Sequence, residues 1–120
     1  MIIQNQRFKQ SILEALADHE MLAVLDSALP RPKSINEIMY ECQIPHSSAY
    51  RKVGWMIANG LLVVDRILIT DTGKKSSLVR STLRSIQVRY EHGSVVVEAE
   101  KNIDAIEKTV ERFFSLDADM

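Results

Sequence analysis

"IPHSSAYRKVGWMIANGLL", residues 44–62, is the stretch on which the fold turns. On a 3.6-residue wheel, Ala49, Val53, Met56, Ile57 and Gly60 fall on one side, which predicts a helix from about His46 to Asn59 with that stripe on a core. Gly60 stands where a left-handed residue closes a helix. Ser47, Ser48 and Arg51, and less fully Tyr50 and Lys52, then lie away from the core. Short hydroxyl side chains near a helix N-terminus permit close approach to a groove, and arginine reaches phosphates or a guanine edge. A solvated polar face has the same composition, so the neighbouring elements decide the reading.

Just upstream, Ser34-Ile35-Asn36-Glu37 has the S-x-x-E form of a capping box and opens a short helix carrying Ile35, Ile38 and Met39 to about Cys42. Two short helices joined by "QIP" have the layout of a helix-turn-helix. Further back, Phe8, Ile12, Leu13 and Leu16 mark a helix over about 5–17. Asp18 is placed to cap a second helix, "HEMLAVLDSAL", with Leu22, Leu25 and Leu29 on one face, and "PRPK" stops it.

After Gly60 the period becomes alternating. "LLVVDRILIT" gives two apolar strand-like runs broken at Asp65-Arg66, "DTGKK" a turn, and "SLVRST" the returning strand. "LRSIQVRYE" places Ile86, Val88 and Tyr90 on one face; His92-Gly93-Ser94 signals a hairpin turn, and "VVVEAEK" returns with Val95, Val97 and Ala99 inward. Asn102 is a plausible cap for a last helix whose stripe is Ile103, Ile106, Val110, Phe113 and Phe114. The expected fold is α+β, mainly α: a winged helix-turn-helix with an additional β-hairpin and a C-terminal dimerisation helix. Residues 1–100 form the DNA-binding domain with its extended wing, and residues 101–120 the dimerisation element.

The net charge of -1 over 120 residues hides an uneven distribution. Residues 46–92 carry eight Lys and Arg against three Asp and Glu, while both flanks are acidic. Lys74 and Lys75 at the expected wing tip, with Arg66 at the earlier break, suit contact with a flanking DNA backbone, where cations release counterions without choosing sequence.

The lone Cys42 excludes an intrachain disulfide and leaves too few thiolates for a zinc or iron–sulfur site, and His19, His46 and His92 are scattered. No metal or cofactor is expected. Apolar runs of only a few residues and an N-terminus without the layout of a signal peptide lead to a cytoplasmic expectation with no membrane contact. Neither a glycine-rich phosphate loop nor a nucleophile elbow nor a clustered His/Asp/Glu set argues for an enzyme.

Read in order, "ILEALADHEMLAVLDSAL", "SINEIMYECQIPHSSAYRKVGWMIANGLL" and "ITDTGKKSSLVRSTLRSIQVRYEHGSVVVE" resemble the ArsR-like winged-helix transcriptional regulators common in archaea. The resemblance runs from about Ile12 to Glu100. It implies a homodimeric regulator of double-stranded DNA, with His46, Ser47, Ser48, Tyr50, Arg51 and Lys52 on the recognition helix and Arg66, Lys74 and Lys75 on the wing. Two departures stand out. The paired cysteines of metal-sensing members are absent, which removes support for metal sensing. Trp55 stands where such helices usually carry a charge, and it has two readings: contact with a partner, or packing under the wing or first helix. The alternative function is a winged-helix docking module without sequence-specific DNA binding. The sequence names no effector.

Overall fold

The computed structural model describes residues 1–103. The elements run α1 (Gln6–Leu16), α2 (His19–Ser27), β1 (Lys33–Ser34), α3 (Ile35–Cys42), α4 (His46–Ala58), β2 (Leu62–Ile69), β3 (Lys75–Ser81), β4 (Leu83–Glu91) and β5 (Ser94–Lys101). The caps expected on α2, α3 and α4 form. Asp18 accepts from the amides of Glu20 and Met21, and Ser34 and Glu37 complete a reciprocal capping box. Gly60 takes a φ of 80° after α4. Between α3 and α4, Gln43 takes φ 55°, a left-handed value uncommon for a residue with a Cβ, and so turns the chain within a few residues.

The core is made where α1, α2, α3 and α4 meet β2 and β3. Ile12, Val24, Ile38, Ala49, Val53, Met56 and Leu61 are wholly buried. The stripe anticipated on α2 is shifted: Met21, Val24, Leu25 and Ala28 face inward, while Leu22 is exposed and Leu29 half-buried.

β1, β3 and β2 form one antiparallel sheet in that order, and its β2–β3 hairpin is the wing. The two apolar runs around Asp65-Arg66 are one strand, not two. The register slips by one residue between Val64 and Arg66, so Asp65 is the extra residue of a bulge. β4 and β5 form a second, separate antiparallel pair. Its tight turn has His92 at φ 51° and Gly93 at φ 78°, the double positive φ of a type I′ hairpin.

Polar groups inside the base of the molecule join its parts. The Ser81 hydroxyl donates to the Leu25 carbonyl at 2.6 Å, and the Thr82 hydroxyl donates to Gly60 O at 2.6 Å. Asn102 is buried, its amide nitrogen donating to Ser81 O and Leu29 O. The bonds to Leu25, Gly60 and Ser81 are buried and satisfy carbonyls inside the fold. Residues 1–3 add a short strand to the outer edge of β5: Ile3 donates to Val97 O at 2.8 Å and Ala99 donates to Met1 O at 2.8 Å. Of the last-helix stripe, Ile103 is exposed, while Ile106, Val110, Phe113 and Phe114 lie outside the described residues.

Candidate nucleic-acid interface

α4 presents two kinds of polar surface. His46, Ser47, Tyr50, Arg51 and Gly54 are exposed along its outer side. The His46 and Tyr50 rings, one turn apart, stand 4.5 Å centroid to centroid, which makes a small aromatic platform on the first turns. The helix starts at Pro45 with no side-chain cap, so its first-turn amides point outward with the positive end of the helix dipole, a favourable place for a phosphate.

The next ring of positions around the helix is occupied differently. Lys52 Nζ lies 2.7 Å from Asp18 Oδ2 and 2.7 Å from Glu20 Oε1, and its side chain is only 11% exposed. Ser48 Oγ donates to the same Glu20 Oε1 at 3.0 Å. These two residues, expected on the reading surface, are turned toward the N-terminus of α2 and brace α4 from behind. The hydrogen bond from Lys52 is the main reason that Asp18 and Glu20 titrate below the usual carboxylate range, and the same contacts raise Lys52. The N-cap of α2 thereby also serves as the anchor of α4.

The wing supplies the second half of the surface. Lys74 and Lys75 are exposed at its tip, where the loop is fixed by the amide of Lys74 donating to Thr70 Oγ1 at 3.1 Å and the amide of Thr70 donating to Lys74 O at 2.9 Å. A groove of about 400 Å³ runs between this tip and the helices, lined by Asn36, Tyr50, Thr70, Lys74 and Lys75 among others. The structure thus brings Tyr50 of α4 and the two wing lysines to one groove. Arg66 is exposed beside the bulge and donates to Asp65 Oδ2 at 3.1 Å, a surface pair that takes up part of its charge. Of the other cations in the basic segment, Arg80 donates to Pro30 O, and Arg84 and Arg89 lie exposed on β4 in the second hairpin.

Trp55 is half-buried and packs against the hydrophobic core, and its carbonyl accepts from Asn59 Nδ2 at 2.8 Å. Asn59 Oδ1 in turn accepts from Ser11 on α1 at 3.0 Å. That arrangement fits the packing reading of Trp55. Gly54, its neighbour, stands exposed, and a Cβ built there meets nothing within 4 Å.

Cys42 is half-buried, and burial pushes its thiol up, which keeps it protonated and unreactive near neutrality. Among the described residues no group of three His, Cys, Asp or Glu side chains is placed to hold a metal ion, and no helix is long and apolar enough to cross a membrane.

The order helix-turn-helix, then a two-stranded wing, with the outer side of the second helix facing the wing tip across a groove, defines a winged-helix architecture. No family model and no curated protein matches the chain. Among solved structures it is similar to HlyU from Vibrio cholerae N16961, with 15% identity and a TM-score of 0.44 over 94% of this chain and 91% of that one. A likeness this loose assigns no family.

Proposed function

We propose that the chain is a sequence-specific, double-stranded DNA-binding transcriptional regulator of the ArsR-like type that acts as a homodimer. The observation that carries this reading is the shared groove: Tyr50 on the exposed side of α4 and the wing lysines face the same space, as a helix in a major groove and a wing on the flanking backbone require. Arg51, with Ser47 and the His46–Tyr50 platform, reads base edges. Lys74 and Lys75 hold the flanking phosphates, and Arg66 adds to them. Lys52 and Ser48 take part by fixing the angle of the helix. The apolar stripe Ile103, Ile106, Val110, Phe113 and Phe114 contributes to pairing of two copies, and the operator is a near-palindrome with half-sites about 34–36 Å apart.

Fluorescence anisotropy against pooled genomic fragments and a random duplex, titrated across salt, tests the reading. Selective, salt-sensitive binding is expected, and Lys74→Ala should weaken cognate and random DNA alike while lowering the salt slope by about 1. Binding that stays weak and indifferent to sequence at low salt defeats it. One observation favours the docking-module alternative: Ile67, Leu68 and Ile69 on the wing strand are 57%, 46% and 70% exposed, an apolar run of the kind protein partners cover. A wing that is protected by a protein partner while DNA affinity is negligible would establish that alternative.

A further inference from the structure

The second hairpin has one edge, and the outer part of one face, that the rest of the described chain leaves uncovered. Cross-strand partners Ile86 and Ala99, Val88 and Val97, and Tyr90 and Val95 all lie on the same side of the β4–β5 pair. That side is apolar throughout. Val97 and Ala99 belong to the core and Ile86 and Val95 pack against it, but Val88 and Tyr90 are 44% and 74% exposed. The opposite side carries Gln87, Arg89 and Glu91 against Glu98, Val96 and Ser94.

The register also says which backbone groups are free. The two-residue turn makes Glu91 and Ser94 the closing hydrogen-bonded pair, so residues 85, 87, 89 and 91 direct their N–H and C=O groups to β5. Ile86, Val88 and Tyr90 direct theirs away. The same parity on β5 turns Val97 and Ala99 outward, and these are the residues that bond to Ile3 and Met1. The outer edge of β5 is therefore used. The outer edge of β4 has no ladder partner among the described residues.

Exposed edges are normally blunted by lysine, proline, a bulge or a charge on the inward face. The free edge of β2 has such a device, the Asp65 bulge followed by Arg66. β4 has its own bulge, at the exposed Arg84 near its base, but from Ser85 to Glu91 it has no lysine, no proline, no register shift and no charge on its apolar face. That stretch leaves its outward backbone groups open to pairing.

We propose that β4 pairs antiparallel with β4 of a second copy of this chain about a two-fold axis at Val88. The pattern is self-complementary there. Val88 meets Val88 of the partner subunit, Ile86 meets the partner subunit's Tyr90, and the outward amides at 86, 88 and 90 fall in hydrogen-bonded pairs. On the polar side Gln87 lies opposite Arg89 of the partner subunit, and Ser85 opposite the partner subunit's Glu91, so no like charges face each other. Moving the axis one residue toward the turn sets Arg89 against its own copy. The result is one continuous four-stranded sheet with an apolar face made by both subunits. This inference rests on the homodimer reading above and names a surface for it.

Two measurements on the full-length protein test it. Hydrogen exchange followed by NMR reads single amides: those of 87, 89 and 91 are protected by β5 in any case, whereas protection at 86, 88 and 90 requires a second strand. Protection of the latter three that grows with protein concentration is the expected result. Exchange at open-strand rates in a sample that sediments as a dimer overturns the β4 surface and leaves the homodimer standing. A monomer throughout overturns both, and protection at 86, 88 and 90 in a sample that sediments as a monomer shows cover from within the chain and also overturns the proposal. Val88→Pro then removes an amide that β5 does not use, so the hairpin is retained while the edge is blocked. Sedimentation should show a weakened dimer with the circular dichroism spectrum unchanged; a Val88→Pro protein that folds and dimerises as tightly as wild type overturns the proposal, and the exchange result decides the matter if the variant does not fold.

Discussion

Two pairs of residues on α4, each a small hydroxyl followed four positions later by a cation, have opposite fates. Ser47 and Arg51 are exposed, while Ser48 and Lys52 are held by Asp18 and Glu20 at the start of α2. The pairs are one residue apart in sequence and about 100° apart around the helix. That rotation separates a surface free to meet a ligand from a brace that sets the helix's position. The difference teaches that positive charge on α4 divides in two: charge left exposed, and charge already committed to the protein's own carboxylates.

The largest effect that sharpens this contrast is on binding. Arg51→Ala should cost about 1–3 kcal/mol against a cognate site and relax base preference, with little change in thermal stability. Anisotropy on cognate and random duplexes, paired with thermal melts, measures both. An equal loss on both DNAs would move Arg51 from base reading to phosphate contact.

Lys52→Met should do the reverse. It leaves Asp18 and Glu20 facing each other without their cation and lowers the melting temperature by a few degrees, with a smaller effect on DNA affinity than Arg51→Ala. Its pH dependence has a definite sign. Asp18 and Glu20 are lowered in the fold, first by the hydrogen bond from Lys52, so their contribution is fully present above the unfolded carboxylate values of about 4 and is lost as pH falls through the lowered folded ones. Lys52 is raised, so its contribution persists below about pH 10.4 and disappears as pH rises through the folded value. The stability gap between wild type and Lys52→Met should be flat across neutral pH and close in acid. A gap that does not narrow in acid removes the carboxylates from the account.

The caps show why part of this was legible in the sequence and part was not. Asp18, Ser34 and Gly60 act on amides or carbonyls within a few residues, so spacing alone reveals them. Lys52 finds its carboxylates 34 and 32 positions upstream, and no local pattern distinguishes it from Arg51. For Asn102, local spacing does not reveal that its amide nitrogen also fastens the ends of α2 and β3 through Leu29 O and Ser81 O. Asp65 reads as a break because a bulge and a turn use the same residue types; only cross-strand register separates them. Residues 1–3 carry too short a pattern to announce a strand, and their pairing is set by the parity of β5.

Gly54 gives the smallest effect and the finest test of the boundary between the two surfaces. It stands one turn beyond Arg51 on the exposed side, in helical backbone, with open space where a Cβ would be. Nothing within the described residues requires glycine there, and in a helix interior glycine is less favourable than alanine by up to about 1 kcal/mol. Gly54→Ala should therefore raise stability by an amount of that order. If the outer side of α4 lies close against DNA, the same methyl lowers affinity, so that stability and binding move in opposite directions. Thermal melts and anisotropy on one preparation decide it: a variant that is more stable and binds as well as wild type would show that the close approach ends before this turn, and would confine the reading surface to residues 46–51.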